Sequence, residues 1–231
     1  MAAQPAGPIR VLLEIAPKKA FASALDWPGL ARSGRDGADA LAALAAAMPR
    51  YGAIAEAAEA AEAAAAARVA GVAFNPRAPL VVAEEIPGDA GTAFGVPSLV
   101  ATLDRVPTAA ADGIRLAALV EACWDALHAA VAAAPAELRK GPRGGGRDRD
   151  TVVAHVIDAE AAYAAVMGLR HKPVDPAAVA AMREDMRTVL RAPSDGAPLA
   201  GKRWPVRYAA RRIAWHALDH AWEIEDRAAP G

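Results

Sequence analysis

Three of the five histidines in this 231-residue chain have the placement of a metal site. His216 and His220 stand four residues apart in RYAARRIAWHALDHAWEIEDR (207–227), so on a helix both project from one face. Ile213, Ala217 and Ile224 share that face, which is the apolar one. His155, in DTVVAHVIDAEAAYAAVMG (150–168), shares a second helical face with Val152, Ala159, Ala162 and Val166. Three imidazoles from two helices are thus expected to look into one core. Burying neutral imidazoles without partners is costly. A divalent metal removes that cost: each ring gives one nitrogen to the ion and the other to an outer acceptor. Three protein ligands leave coordination positions open, as in catalytic rather than structural sites. An HxxxH pair alone also arises by chance, and a lone inward histidine is ordinarily a satisfied core residue. The third histidine on a separate amphipathic segment is what makes the set.

Two carboxylates stand at the edges of these faces. Asp158 follows His155 by three residues, and Glu223 follows His220 by three. Either is placed to accept a proton from a ligand imidazole or to act as a base. Asp219 lies further round, toward Arg212, and reads as structural. The stretch Arg139–Arg149 (RKGPRGGGRDR) carries five basic residues and four glycines and leads directly into the helix of His155. Its Arg143 and Arg147 are candidates for recruiting an anionic substrate. It has no GxxxxGK[ST] pattern and is not a phosphate loop. His128 reads as a surface or boundary residue and His171 as solvated. Trp124 reads as core, and Cys123 has no adjacent histidine to activate it.

Four helices must carry these residues: about 112–134, 150–168, 176–191 and 206–227. Pro135 ends the first and Gly168 the second; Asp175 caps the third ahead of Pro176, and Trp204-Pro205 opens the fourth. Their lengths and short connections predict a four-helix bundle. Trp215, Leu218 and Trp222 form a ridge on the back of the last helix, a side that a bundle helix normally exposes. They predict a second packing surface, against the N-terminal half or a second copy of the chain, as in a homodimer. Ala159, Ala162 and Ala217 flank the histidines and predict a cavity in the bundle core.

Residues 1–111 read differently. Ile9–Ile15 and Ala20–Leu25 predict two strands joined by a turn at Lys18-Lys19, and Leu80–Val82 a further strand. Ala38–Met48 predicts a helix, interrupted by Pro49. Arg50–Val69, almost pure Ala and Glu, predicts a second helix, peripheral or packed through its methyls. Pro87-Gly88-Asp89 reads as a turn before a loop. The boundary divides 1–111 from 112–231. Charge does not separate the halves, with nine basic and eleven acidic residues in the first and 17 and 16 in the second.

Two resemblances attach to these segments. Residues 207–227 and 137–168 resemble the DinB-like superfamily of metalloenzymes, and LVVAEEIPGDAGTAFGVP (80–97) is similar to what precedes the bundle in a subgroup of it. That superfamily includes mycothiol-dependent maleylpyruvate isomerases. The resemblance implies a metal on His155, His216 and His220 (Zn²⁺ or Ni²⁺). It also implies hydrolysis or a thiol-dependent transfer or isomerisation, with a low-molecular-weight thiol as an additional cofactor. The strand–strand–helix order with LDWPGLARSG, within Ala24–Leu44, resembles HicB-like domains, whose small antiparallel sheet carries helices. The overall expectation is an α+β N-terminal domain followed by an all-α bundle. HicB-like antitoxins dock a toxin; without a basic helix or ribbon, this half reads instead as a packing or substrate-covering module. The competing reading is a non-enzymatic binding or regulatory module docking a partner through that half, with the metal structural or absent.

Composition bounds both readings. Sixty-six residues are alanine and only 11 are aromatic. A charged fraction of 23% with positive mean hydropathy excludes a disordered chain. A net charge of −1 argues against nucleic-acid or membrane-surface partners. One cysteine excludes a disulfide scaffold and fits a reducing cytoplasm. No run of apolar residues has the length of a membrane span, and MAAQPAGPIR does not read as a signal peptide.

Overall fold

The computed structural model describes residues 7–64, 73–140 and 146–228. A small mixed four-stranded sheet at the N-terminus is followed mostly by helices. β1 (Ile9–Ala16) and β2 (Lys19–Ala24) form an antiparallel hairpin around Pro17-Lys18. β3 (Ala31–Gly34) adds antiparallel to β2, then the chain enters α1 (Gly37–Ala64). The crossover returns it to the starting end, so β4 (Leu80–Pro87) pairs parallel to β1. The strand order is β3-β2-β1-β4. The sheet is therefore mixed, where the HicB resemblance predicted an antiparallel one, and the reason is this helical crossover. β3 was not expected: it is a four-residue edge strand with one buried residue, too short to show an alternation.

Pro49 does not break the helix as the sequence predicted. α1 runs through it, because Met48, Tyr51, Ile54, Ala55 and Ala58 are all buried and hold both sides of the proline to one core. The Ala/Glu stretch thus packs through its methyls, with Tyr51 as anchor donating its hydroxyl to the Pro28 carbonyl at 2.6 Å. Residues 65–69, its expected end, lie outside the described residues. The predicted loop after Pro87 contains a short helix, α2 (Ala90–Phe94). Asp89 and Thr92 cap it reciprocally, and Gly95 ends it at φ 114°.

Four long helices follow: α3 (Ala110–Ala133), α4 (Arg149–Val166), α5 (Pro176–Arg191) and α6 (Val206–Ala228). Each lies within two residues of its expected bounds. α3 packs on α6, α5 and α1, while α4 packs on α6 and α5. α3 is long and apolar enough to cross a membrane by length and composition, and 56% of its most apolar window is buried inside the fold.

One core runs through both halves: Leu44 and Tyr51 of α1 join Leu119 and Cys123 of α3 and Leu218 of α6. The ridge on α6 is covered by the N-terminal half. Trp215 meets the Phe21 ring edge-on at 5.9 Å, and Trp222 lies under the Arg32 and Arg50 guanidiniums at 4.0 and 4.8 Å. Asp104, in a short 3-10 turn, receives Arg211 of α6 through both carboxylate oxygens, with both groups buried. Trp124 is core, as expected, and its indole N–H donates to Glu160 at 2.7 Å. Cys123 is fully buried, and burial pushes its thiol pKa up, which makes it inert as a nucleophile.

Candidate metal centre

α6 carries His216 and His220 one turn apart, and α4 brings His155 against them. The ring centroids of His155 lie 5.1 Å from each of the other two, and those of His216 and His220 are 4.7 Å apart. One ligand nitrogen from each of the three can be chosen so that all lie within 4.8 Å of one another. The Nε2 atoms of His155 and His216 are 3.3 Å apart. Metal–nitrogen bonds of about 2.05 Å at a tetrahedral angle put two ligand nitrogens about 3.3 Å apart, so this edge already has the length of a coordination polyhedron. The three histidines are close enough to hold a metal ion.

The electrostatics suit neutral ligands. His216 is buried, and burial, reinforced by His220, Arg212, His155 and Arg147, pushes its pKa down to about 2. His155 is lowered too, by burial first and then by Arg147. A metal needs its histidines unprotonated, and this environment keeps both so. The Nδ1 of His216 is buried with no hydrogen-bond partner among the described residues, and the Tyr163 ring lies 5.7 Å away.

Glu223 accepts a hydrogen bond from His220 Nδ1 at 2.7 Å, and its other oxygen accepts from Arg227 at 2.7 Å. That contact puts the proton of His220 on Nδ1 and leaves Nε2 for a metal. It also holds the Glu223 carboxyl below its usual range, first through His220 and then through Arg227. Asp158 is exposed and bonds to none of the three imidazoles; it acts on His155 only as a nearby negative charge. Arg147 is exposed, and its charge is felt by both His155 and His216. Arg143 lies outside the described residues.

Asp219 pairs with Arg32 of β3 at 3.1 Å, so β3 covers that side of α6. Two expectations are corrected. His171 is not free in solvent: its Nε2 meets Asp185 at 2.9 Å and its side chain is 18% exposed. The alanines expected to leave room at the histidines do not lie together on one buried face. Ala162 is exposed and Ala217 is fully packed, because α4 buries Val152, Val156, Glu160 and Tyr163 and leaves His155 on the rim of that stripe. The large cavity, about 530 Å³, lies instead among α3, α4 and α5.

Sequence reading missed Arg212. Its guanidinium stacks on Trp215 at 4.9 Å and near Tyr163 at 5.4 Å, and its buried Nη1 has no hydrogen-bond partner among the described residues. The signal available was its position one turn before His216. Sequence reading also missed the buried pair of Glu160 and Arg183, at 2.9 Å, whose members lie on separate helices. No protein-family model, no curated protein and no solved structure matches the chain.

Proposed function

We propose that the chain is a divalent-metal-dependent enzyme. Its C-terminal half is read as a four-helix bundle of the DinB-like kind, and its N-terminal half as a HicB-like module that covers the back of α6. The observation that carries this reading is the convergence of three imidazoles from two helices, with one nitrogen–nitrogen edge of 3.3 Å. His155, His216 and His220 would hold the ion, Zn²⁺ or Ni²⁺, since a set of three imidazoles suits both. Three protein ligands and a partly exposed His155 favour an open, catalytic site over a closed structural one.

When bound there, the ion supplies a Lewis acid that lowers the pKa of a water or a thiol toward neutrality. The rest is done by the chain. His216 stays neutral in its buried position. Glu223 fixes the proton of His220 on Nδ1 and, at the edge of the site, is the carboxylate best placed to take or return a proton. Arg147 and Arg212, whose positive charges reach His216, favour a small anionic substrate or thiol. The reaction class is hydrolysis or a thiol-dependent transfer or isomerisation.

The test is metal analysis of protein purified without chelator, beside His216→Ala. About one divalent ion per chain, lost in the variant, is the expected result. A chain that neither retains nor takes up a divalent ion removes the enzyme reading and leaves the binding-module alternative. Reconstituted protein is then screened for thiol transfer and for hydrolysis of anionic esters and amides, with Glu223→Gln expected to lose turnover even at metal concentrations that saturate it.

A further inference from the structure

The cavity of about 530 Å³ is separate from the metal centre. Val153 and Ile157 line it, each two residues from His155, which at 3.6 residues per turn puts them on the opposite face of α4. Its volume is in the range of small-molecule sites, and its walls are mainly apolar, from Trp124, Leu127 and Val131 of α3 to Val179 and Ala180 of α5. Its floor is pre-ordered. Arg183 is buried and gives Nε and Nη2 to Glu160, while its Nη1 meets His128 Nε2 at 2.6 Å. The Trp124 indole is pinned to the same carboxylate. A guanidinium can only donate, so His128 Nε2 is the acceptor and this ring is neutral; burial and Arg183 both lower its pKa.

Charge then selects the occupant. Glu121, Asp125, Asp175 and Glu184 line the cleft, against two guanidiniums, Arg183 and Arg187. Both guanidiniums are already committed, Arg183 to Glu160 and Arg187 to Glu121 and Glu184. Asp125 is exposed and makes no hydrogen bond or ion pair among the described residues. Arg191 also reaches Glu121 and Glu184, at 3.9 and 4.0 Å, so among the described residues no uncompensated cation lines the cleft, and the excess negative charge lies at Asp125 and Asp175.

We propose that this cleft is a second ligand site, and that it takes a small apolar molecule bearing one positive charge, such as an aryl or alkyl ammonium. The apolar body fills the space between α3, α4 and α5, and the charged head rests at the acidic rim near Asp125.

The experiment uses three probes with one skeleton: 1-naphthylmethylamine, 1-naphthylmethanol and 1-naphthoate. Their binding to the full chain is measured by calorimetry and by the fluorescence of the tryptophans. Ala180→Trp fills the cleft from an exposed position, and Asp125→Asn removes rim charge. The amine is expected to bind about tenfold more tightly than the alcohol, a difference of about 1.4 kcal/mol, and the carboxylate most weakly. Ala180→Trp should abolish amine binding with an unchanged melting temperature and metal response, and Asp125→Asn should bring the amine toward the alcohol. The proposal falls on any of four results. These are the alcohol or carboxylate matching the amine, amine binding that survives Ala180→Trp, no binding of any probe at about 1 mM, or a dimer that Ala180→Trp splits. The last would make the cleft an interface between copies.

Discussion

Adding a divalent ion to metal-stripped protein should raise its melting temperature, and truncating His155 should remove most of that rise. A ligand that binds only the folded state stabilises it by about 2.7 kcal/mol at a hundred times its Kd. For a chain of this size that is about 5–11 °C. His155 is the ligand to remove first because it is half-exposed on the rim of the buried α4 stripe, whereas His216 is buried and its loss would also leave a hole. His155→Ala therefore costs little fold stability but takes away one end of the 3.3 Å nitrogen–nitrogen edge. Losing one of three ligands should weaken binding by more than the 10–100-fold expected for an outer hydrogen-bond partner. At the same metal concentration the variant then gains under about 0.4 kcal/mol, or about 1–2 °C. Glu223→Gln should fall between the two, because it weakens the acceptor that holds His220 Nδ1. The assay is thermal denaturation across a ZnCl₂ and NiCl₂ series with circular dichroism as readout. A wild-type midpoint that ignores metal, or a His155→Ala midpoint that moves as far as wild type, refutes the reasoning.

Asp104→Asn should cost about 3–5 kcal/mol in urea unfolding, because it strands the buried Arg211 guanidinium; a loss under about 1 kcal/mol would contradict that. Trp215→Ala should cost about 3–5 kcal/mol through the lost contact with Phe21. Trp215→Phe should cost far less, since its buried Nε1 has no partner among the described residues to lose. Glu14 is fully buried, one oxygen is unpartnered, and burial raises its pKa despite Thr92, so the folded state holds this proton to higher pH than the unfolded chain does. Stability carried by that group therefore falls as pH rises through the window above about 4.5. Urea unfolding of Glu14→Gln beside wild type should show the variant's relative stability rising from pH 4 to pH 7, and a difference independent of pH would count against it.

Much of this molecule was legible in the order of its residues. The helices α3 to α6 were visible because their caps and stops are local, such as Asp175 before Pro176, and local chemistry does not wait for tertiary contacts. The histidine set was visible for a related reason: a spacing of four is a statement about one helix face. The N-terminal half was less legible. β3 exists only because β2 offers it an edge, and α1 passes Pro49 only because the flanking side chains are buried against the rest of the core.

What the sequence alone determined is which residue types stand on which helices: a histidine pair on one face of the last helix with a third histidine on another, an acid at the edge of the pair, and a tryptophan ridge on the back of the last helix. What only the tertiary structure decided is which faces meet. It put β3 over Asp219 and Trp222, joined Glu160 to Arg183, and placed the large cavity on the far side of α4 from His155. The physical reason is range. Periodicity and capping act over a few residues, whereas an ion pair or a cavity is set by how whole helices settle against one another, and alanine-rich faces leave many such arrangements open until the large side chains lock one.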